Sequence, residues 1–177
     1  MAASDGGMRR LMVIGCPGSG KTTFATRLAD RLKLPLIALD FHHWSPGWQL
    51  PEPTVWRERV QALAAESEWI MDGNYSATFD LRMPRAEMLV WLDYPRATCL
   101  RRVLLRCLLG YGRTRPGLPE GCHERFDLEF FRHVWDFTRH HRPQIVNAIE
   151  RFGGHLRVVR FRDDRDAEQF LATLEAP

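Results

Sequence analysis

Gly15-Cys16-Pro17-Gly18-Ser19-Gly20-Lys21-Thr22 is the stretch on which the fold of this chain turns. The octet has the form G-x-x-x-x-G-K-[ST], and its flanks are those the motif requires. Ahead of it, Leu11-Met12-Val13-Ile14 is an apolar run with the length of a buried strand. Behind it, Phe24, Leu28 and Leu32 recur at helical spacing until Pro35 stops the pattern. A strand, a glycine-rich turn and a helix in that order make a nest of backbone N–H groups, to which the helix adds its positive N-terminal end. Lys21 is then a point charge for the β- and γ-phosphates, and Thr22 offers a hydroxyl to Mg²⁺. Gly15, Pro17, Gly18, Ser19, Gly20, Lys21, Thr22 and Thr23 form the expected donor-binding set, with ATP as donor and Mg²⁺ as cofactor. The lysine carries extra weight because the chain holds 23 arginines and only two lysines, Lys21 and Lys33.

Outward from this loop, strand and helix patterns alternate. Leu36 to Leu39 reads as a strand closing on Asp40, and an aromatic, Pro- and Gly-containing loop spans 41–53. Trp56, Val60, Leu63 and Ala64 mark an amphipathic helix. Trp69 to Met71 and Met88 to Leu92 read as strands followed by Asp72 and Asp93. Leu100, Val103, Leu104, Cys107 and Leu108 share one helix face ending near Gly110, and Gly110 to Gly121 reads as a mobile loop. A helix from about Asp127 to His141 is expected to stop before Pro143, with a shorter one over Gln144 to Arg151. Leu156 to Phe161 completes five strands, and Ala167 to Leu174 is the last helix. Such alternation predicts a three-layer, doubly wound α/β domain over 1–177, built on a five-stranded parallel sheet.

With 177 residues, 45% hydrophobic and 27% charged, the chain has the size and composition of one globular domain, which excludes disordered and fibrous classes. No apolar run approaches the roughly 18 residues of a membrane span, and the first residues lack a secretory pattern, so a cytoplasmic protein without a membrane partner is expected. Four cysteines without C-x-x-C spacing do not suggest a disulfide framework. Cys16 stands beside a helix N-terminus, a position that lowers a thiol pKa.

Ligands of open α/β sheets sit at the carboxyl ends of the strands, where Asp40, Asp72 and Asp93 are expected. Each is placed to organise Mg²⁺ through water; Asp40 and Asp72 are alternatively placed to meet an acceptor hydroxyl. Asp40 and Asp72 are therefore candidate catalytic residues, and Asp93 joins Thr22 as a candidate metal residue. From Arg96 to Arg142, ten arginines stand against five acidic residues, a local charge of +5 in a chain of net +3. Arg102 and Arg106 lie one helical turn apart and open onto the loop that carries Arg113 and Arg115. Guanidinium groups closing over a transferring phosphoryl group would stabilise its spread charge.

These motifs, with Leu39-Asp40-Phe41-His42-His43-Trp44, Trp69-Ile70-Met71-Asp72-Gly73-Asn74-Tyr75, Trp91-Leu92-Asp93-Tyr94-Pro95 and Gly112-Arg113-Thr114-Arg115-Pro116, carry a resemblance over Met8 to Leu174. The chain resembles P-loop kinases of the adenylate-kinase type. It is most similar to a bacterial group labelled adenylate-kinase-like or DNA topology modulation protein. The resemblance implies a nucleoside monophosphate kinase-like P-loop fold with an acceptor-binding segment at about 41–67 and a small lid at about 110–126. It also implies that Asp72-Gly73 lies near the phosphates, Arg102 beside the nucleotide base, and Arg106 at a phosphate.

The acceptor side departs from adenylate kinase: Asp40, His42, His43 and Trp44 replace its Thr-Gly-Asp and following Arg, and Asn74-Tyr75 follows Asp72-Gly73, with Arg82 or Arg85 as substitute cations. Two functions stand on this reading. One is transfer of the γ-phosphate of ATP to a nucleotide, nucleoside or other small acceptor. The alternative is a nucleic-acid-associated ATPase or regulator.

Overall fold

The computed structural model describes residues 7–114 and 117–174. The strands β1 (Arg10–Gly15), β2 (Leu36–Ala38), β3 (Trp69–Asp72), β4 (Met88–Leu92) and β5 (Arg157–Phe161) form one parallel sheet in the order β2-β3-β1-β4-β5. The central strands are apolar on both faces, as a covered parallel sheet demands: Leu11 to Ile14, Trp69 to Met71 and Met88 to Leu92 are all buried. The edge strand β5 is more open and carries Arg157 and Arg160, charges that blunt an exposed edge.

Helix α1 (Lys21–Leu32) joins β1 to β2, which lies in the opposite direction along the sheet from the later crossovers. Right-handed connections therefore set α1 on one face and α3 (Pro53–Ala65), α4 (Phe79–Arg82), α5 (Arg96–Gly110) and α6 (Leu128–Phe152) on the other. The last helix, α7 (Asp164–Thr173), packs on α1 and β5, with the Asp163 side chain accepting from the Asp166 N–H at 3.0 Å as its N-cap.

Register places the site. Val13 and Ala38 flank Asp72 on either side of β3, and Gly15 pairs with Leu92. The loop after β1, the residues after β2 and the end of β3 thus open at one end of the sheet.

Two expectations change. Leu39 does not extend β2: it opens the short helix α2 (Leu39–His43), because its side chain turns into a cluster with Trp56 and Val60. The helix across Pro143 is unbroken. Val134 and Phe137 on one side, and Ile145 and Ala148 on the other, are all buried against the same core, and this packing outweighs the single backbone hydrogen bond that proline removes. Asp127 caps α6, accepting from the N–H groups of Glu129 and Phe130 at 3.0 and 3.1 Å.

Candidate active site

The phosphate loop is a tight turn in which the Ser19 N–H donates to the Cys16 carbonyl at 3.0 Å. Gly18 and Gly20 have φ +85° and +89°, the left-handed region that glycine enters without strain. At the helix start, the N–H groups of the first turn have no intrahelical acceptor and face the loop's concavity. Asn74 holds the loop from below: the Gly15 N–H donates to its Oδ1 at 2.9 Å, and its Nδ2 donates to the Gly15 carbonyl at 2.7 Å. Lys21 is the first residue of α1 and is buried to 9% exposure. This cradle fits a chain of phosphates: it offers backbone donors and, in Lys21, a point charge.

The loop is also pressed against the start of α5. A Cβ added to Gly18 would lie 2.4 Å from the Cys99 carbonyl oxygen and 2.9 Å from Val103. Gly18→Ala should therefore cost about 1–3 kcal/mol of stability and displace the loop. Gly112→Ala, with φ +73° and nothing within 4 Å, should cost less; thermal melts of the two variants compare them directly. The Cys16 thiol does not have the lowered pKa expected from its position. Its hydrogen bond with Cys99 and then its burial push it well above the ordinary range.

On the metal side, the Thr22 hydroxyl donates to Asp72 Oδ2 at 2.6 Å, and Asp72 is buried. A hydroxyl and a carboxylate are hard oxygen donors of the type Mg²⁺ takes. Asp93, the other candidate metal residue, follows Leu92, which pairs with Gly15 at the end of β4. Its backbone N–H bonds to the Phe161 carbonyl at 2.8 Å, turning the residue toward the β5 edge. There its carboxylate pairs with Arg142 at 3.3 Å and with Arg160.

A cavity of about 580 Å³ runs from Pro17 and Lys21 to Asp40 and on between Trp44, Trp48 and α6. Asp40, in the first turn of α2, accepts a hydrogen bond from the Tyr75 hydroxyl at 2.7 Å. Tyr75 is held in the left-handed region, φ 38°, an uncommon conformation for an aromatic residue and one that clusters at functional sites. Its ring lies 3.1 Å from where a Gly73 Cβ would stand, so Gly73 makes room for it. His43 packs between Trp56 and Tyr75, with ring centroids 4.6 Å from each, and burial lowers its pKa. Phe41 points away and is 54% exposed.

Neither Arg82 nor Arg85 lines this cavity. Arg82 is fully buried beneath the β3–α4 turn, donating to the carbonyls of Gly73 at 3.1 Å, Asn74 and Tyr75, and burial pushes its pKa down to about 9. Arg85 donates to the Ala65 carbonyl at 3.0 Å.

The segment at 110–126 meets the loop after α2: Trp48 Nε1 donates to the His123 carbonyl at 3.1 Å, and Gly121 lies against Pro46. Its base is tied by Glu124, whose carbonyl accepts from Gly112 and whose N–H donates to the Arg113 carbonyl, each at 2.9 Å. Arg106 faces the cavity and pairs with Glu124 at 3.0 Å. Arg102 instead donates to the Ser19 carbonyl at 3.3 Å and pairs with Asp164, on the α7 side of the loop. Arg113 is exposed and does not line the cavity, and Arg115 lies outside the described residues.

The sequence reading singled out neither Asn74 nor Tyr75 for a role, and it did not see α6 as a cavity wall. A signal for the last existed. His133, Phe137 and His141 recur at i, i+4 and i+8, a ring-bearing stripe that turns to the cavity.

No protein-family model matches the chain, and no curated protein matches it in sequence. Solved structures do match. A shikimate kinase from Bacteroides thetaiotaomicron aligns with TM-score 0.51 and 20% identity, covering 94% of this chain and 96% of that one. A shikimate kinase from Acinetobacter baumannii in complex with shikimate aligns with TM-score 0.57 and 14% identity, covering 93% and 92%. A sugar kinase from Janibacter sp. HTCC2649 aligns with TM-score 0.50 and 18% identity, covering 96% and 95%. At these identities the likeness establishes the fold: a five-stranded parallel P-loop kinase fold with helices on both sides. Among the described residues, no helix is long and apolar enough to cross a membrane.

Proposed function

We propose that the protein is an ATP-dependent phosphotransferase that moves the γ-phosphate of ATP to a hydroxyl of a small acceptor. The observation that carries this reading is that one cavity is lined both by Pro17 and Lys21 of the phosphate loop and by the carboxylate of Asp40. Solved structures of similar fold include proteins named as a shikimate kinase and a sugar kinase, which is consistent with it.

In this scheme the loop amides and Lys21 hold the donor phosphates, and Thr22 with Asp72 holds Mg²⁺. When bound, the metal neutralises charge on the phosphate oxygens. Asp40, oriented by the Tyr75 hydroxyl, takes the proton of the acceptor hydroxyl. That oxygen bonds to the γ-phosphorus as the bond to the departing ADP oxygen breaks. Arg106 lines the cavity from α5 and, exchanging Glu124 for the transferring group, stabilises its charge.

A coupled assay of ADP release with Mg²⁺, run against nucleosides, nucleoside monophosphates and small hydroxylated metabolites with a no-acceptor control, tests the reading. Acceptor-dependent release with a phosphorylated product supports it; hydrolysis indifferent to every acceptor sinks it. Asp72→Asn should raise the Mg²⁺ concentration needed for half-maximal rate by about 10–100-fold, read from a metal titration at saturating ATP.

The alternative, a nucleic-acid-associated ATPase, draws on the arginine-rich stretch. Within it Arg102, Arg106, Arg125, Arg132 and Arg142 are each ion-paired to a carboxylate. DNA affinity that falls steeply with salt would favour that alternative.

A further inference from the structure

We propose that the acceptor is an uncharged, ring-bearing alcohol of the nucleoside class, held by stacking and hydrogen bonds and not by charge; this rests on the phosphotransferase reading above. The cavity volume of about 580 Å³ lies in the range of small-molecule sites. Six aromatic residues line it: Trp44, Trp48, Tyr75 and Phe79, with Phe130 and Phe137 of α6. The two indoles meet edge to face, 5.2 Å between centroids, and Trp48 is held by its bond to the His123 carbonyl. A cleft lined by aromatic rings favours a flat ring as its occupant.

Charge argues against an acceptor with its own phosphate or carboxylate. The described cavity lining holds three cations, Lys21, Arg106 and Arg125, and three carboxylates, Asp40, Glu124 and Asp127. Lys21 belongs to the donor cradle. Arg106 is 3.0 Å from Glu124, and Arg125 is 3.5 Å from Asp127. Arg82, where an acceptor arginine would be sought, is buried under backbone carbonyls. The charges of the described lining balance, and an acceptor's own phosphate would compete for Arg106 with both Glu124 and the transferring group.

The remaining polar groups suit a neutral partner. His133, His141 and Gln144 line the α6 wall. Desolvation, the largest cause in both, lowers the pKa of His133 and His141, and Lys21 adds to the shift at His133. Neutral imidazoles and an amide offer both donors and acceptors to ring heteroatoms and sugar hydroxyls.

The test is calorimetric titration of the full chain, with Mg²⁺ and a non-hydrolysable ATP analogue present. The panel is adenosine, guanosine, cytidine, uridine and thymidine, their 5′-monophosphates, glucose and shikimate. At least one nucleoside should bind saturably and at least about tenfold more tightly than its own monophosphate, the scale of one charge-assisted interaction. Trp44→Leu should weaken nucleosides by about 10–100-fold and leave the ATP analogue's affinity unchanged. Glu124→Gln should narrow the gap by freeing Arg106 for the monophosphate.

Tighter binding of a monophosphate, shikimate or glucose than of every nucleoside overturns the proposal. So does silence from all nucleosides while the ATP analogue binds. The parallel transfer assay separates the two readings. A product formed only from monophosphates or carboxylated acceptors overturns the acceptor class and keeps the phosphotransferase. Nucleoside binding without any product keeps the ring site and overturns the phosphotransferase.

Discussion

Asp40→Asn should lower phosphoryl transfer to the acceptor by about 10²–10⁴-fold, the usual contribution of a positioned general base, while ATP binding stays as it is. The substitution is nearly isosteric. The asparagine Oδ1 still accepts the Tyr75 hydroxyl that is now 2.7 Å from Asp40, so α2 and the β3–α4 turn keep their contact. What is lost is the ability to take a proton. Because Asp40 is not one of the residues that hold the donor in this scheme, the affinity for an ATP analogue should not move. Slow hydrolysis in the absence of acceptor should also survive, since water needs no base at that position to reach a bound phosphate. Single-turnover measurements with saturating acceptor read the effect. Unchanged transfer in Asp40→Asn would remove this residue from the mechanism and move the base to another group. Tyr75→Phe should show a smaller loss in the same assay, because it takes away orientation and leaves the carboxylate.

Lys21→Ala should lose about 10²–10³-fold in turnover, the scale of one preorganised donor at a developing charge, and should weaken ATP as well. Among the described lining residues Lys21 is the cation contributed by the loop and α1, and it is the first residue of α1, at the helix's positive end. Lys21→Arg is the sharper variant. Elsewhere this chain uses arginine at 23 positions against one other lysine, so a guanidinium would be no departure from its habit. In the loop, however, a planar fork is wider than an ammonium and spreads its charge away from one point. Lys21→Arg should recover less than a tenth of the lost rate. Thermal melts should show both variants folded, because the core lies in the strands and is untouched. Full activity in Lys21→Arg would mean that the cradle is looser than its contacts with Asn74 and Cys99 indicate.

Much of this was legible in local sequence. The strand, loop and helix around Gly15 to Thr22 follow from spacing alone, because the motif's chemistry acts through backbone within one continuous segment. The five strands were readable because strands covered on both faces are short, continuous apolar runs. Asp72 could be placed at the end of β3, although not against Thr22. Their 2.6 Å hydrogen bond depends on β1 and β3 being neighbours although another strand separates them in sequence.

Where reading along the chain failed, the cause was packing between distant segments. Pro143 predicts a break, and α6 runs through it because both halves are anchored in one core. Arg82 has the sequence position of a ligand-binding cation, yet carbonyls of its own turn consume its guanidinium. Asp93 follows its strand as Asp72 does, but β4 borders β5, and the arginines there claim its carboxylate.

A P-loop α/β fold, its glycine-rich turn and the acids that follow its strands could all be read along the chain, since each is a property of neighbouring residues or of a fixed period. Only the tertiary structure decided which carboxylate meets Thr22, which arginines are spent within the protein, and that α6 lines the same cavity as Trp44. Those are matters of strand order and side-chain packing, and neither is encoded over a distance that a single segment can display.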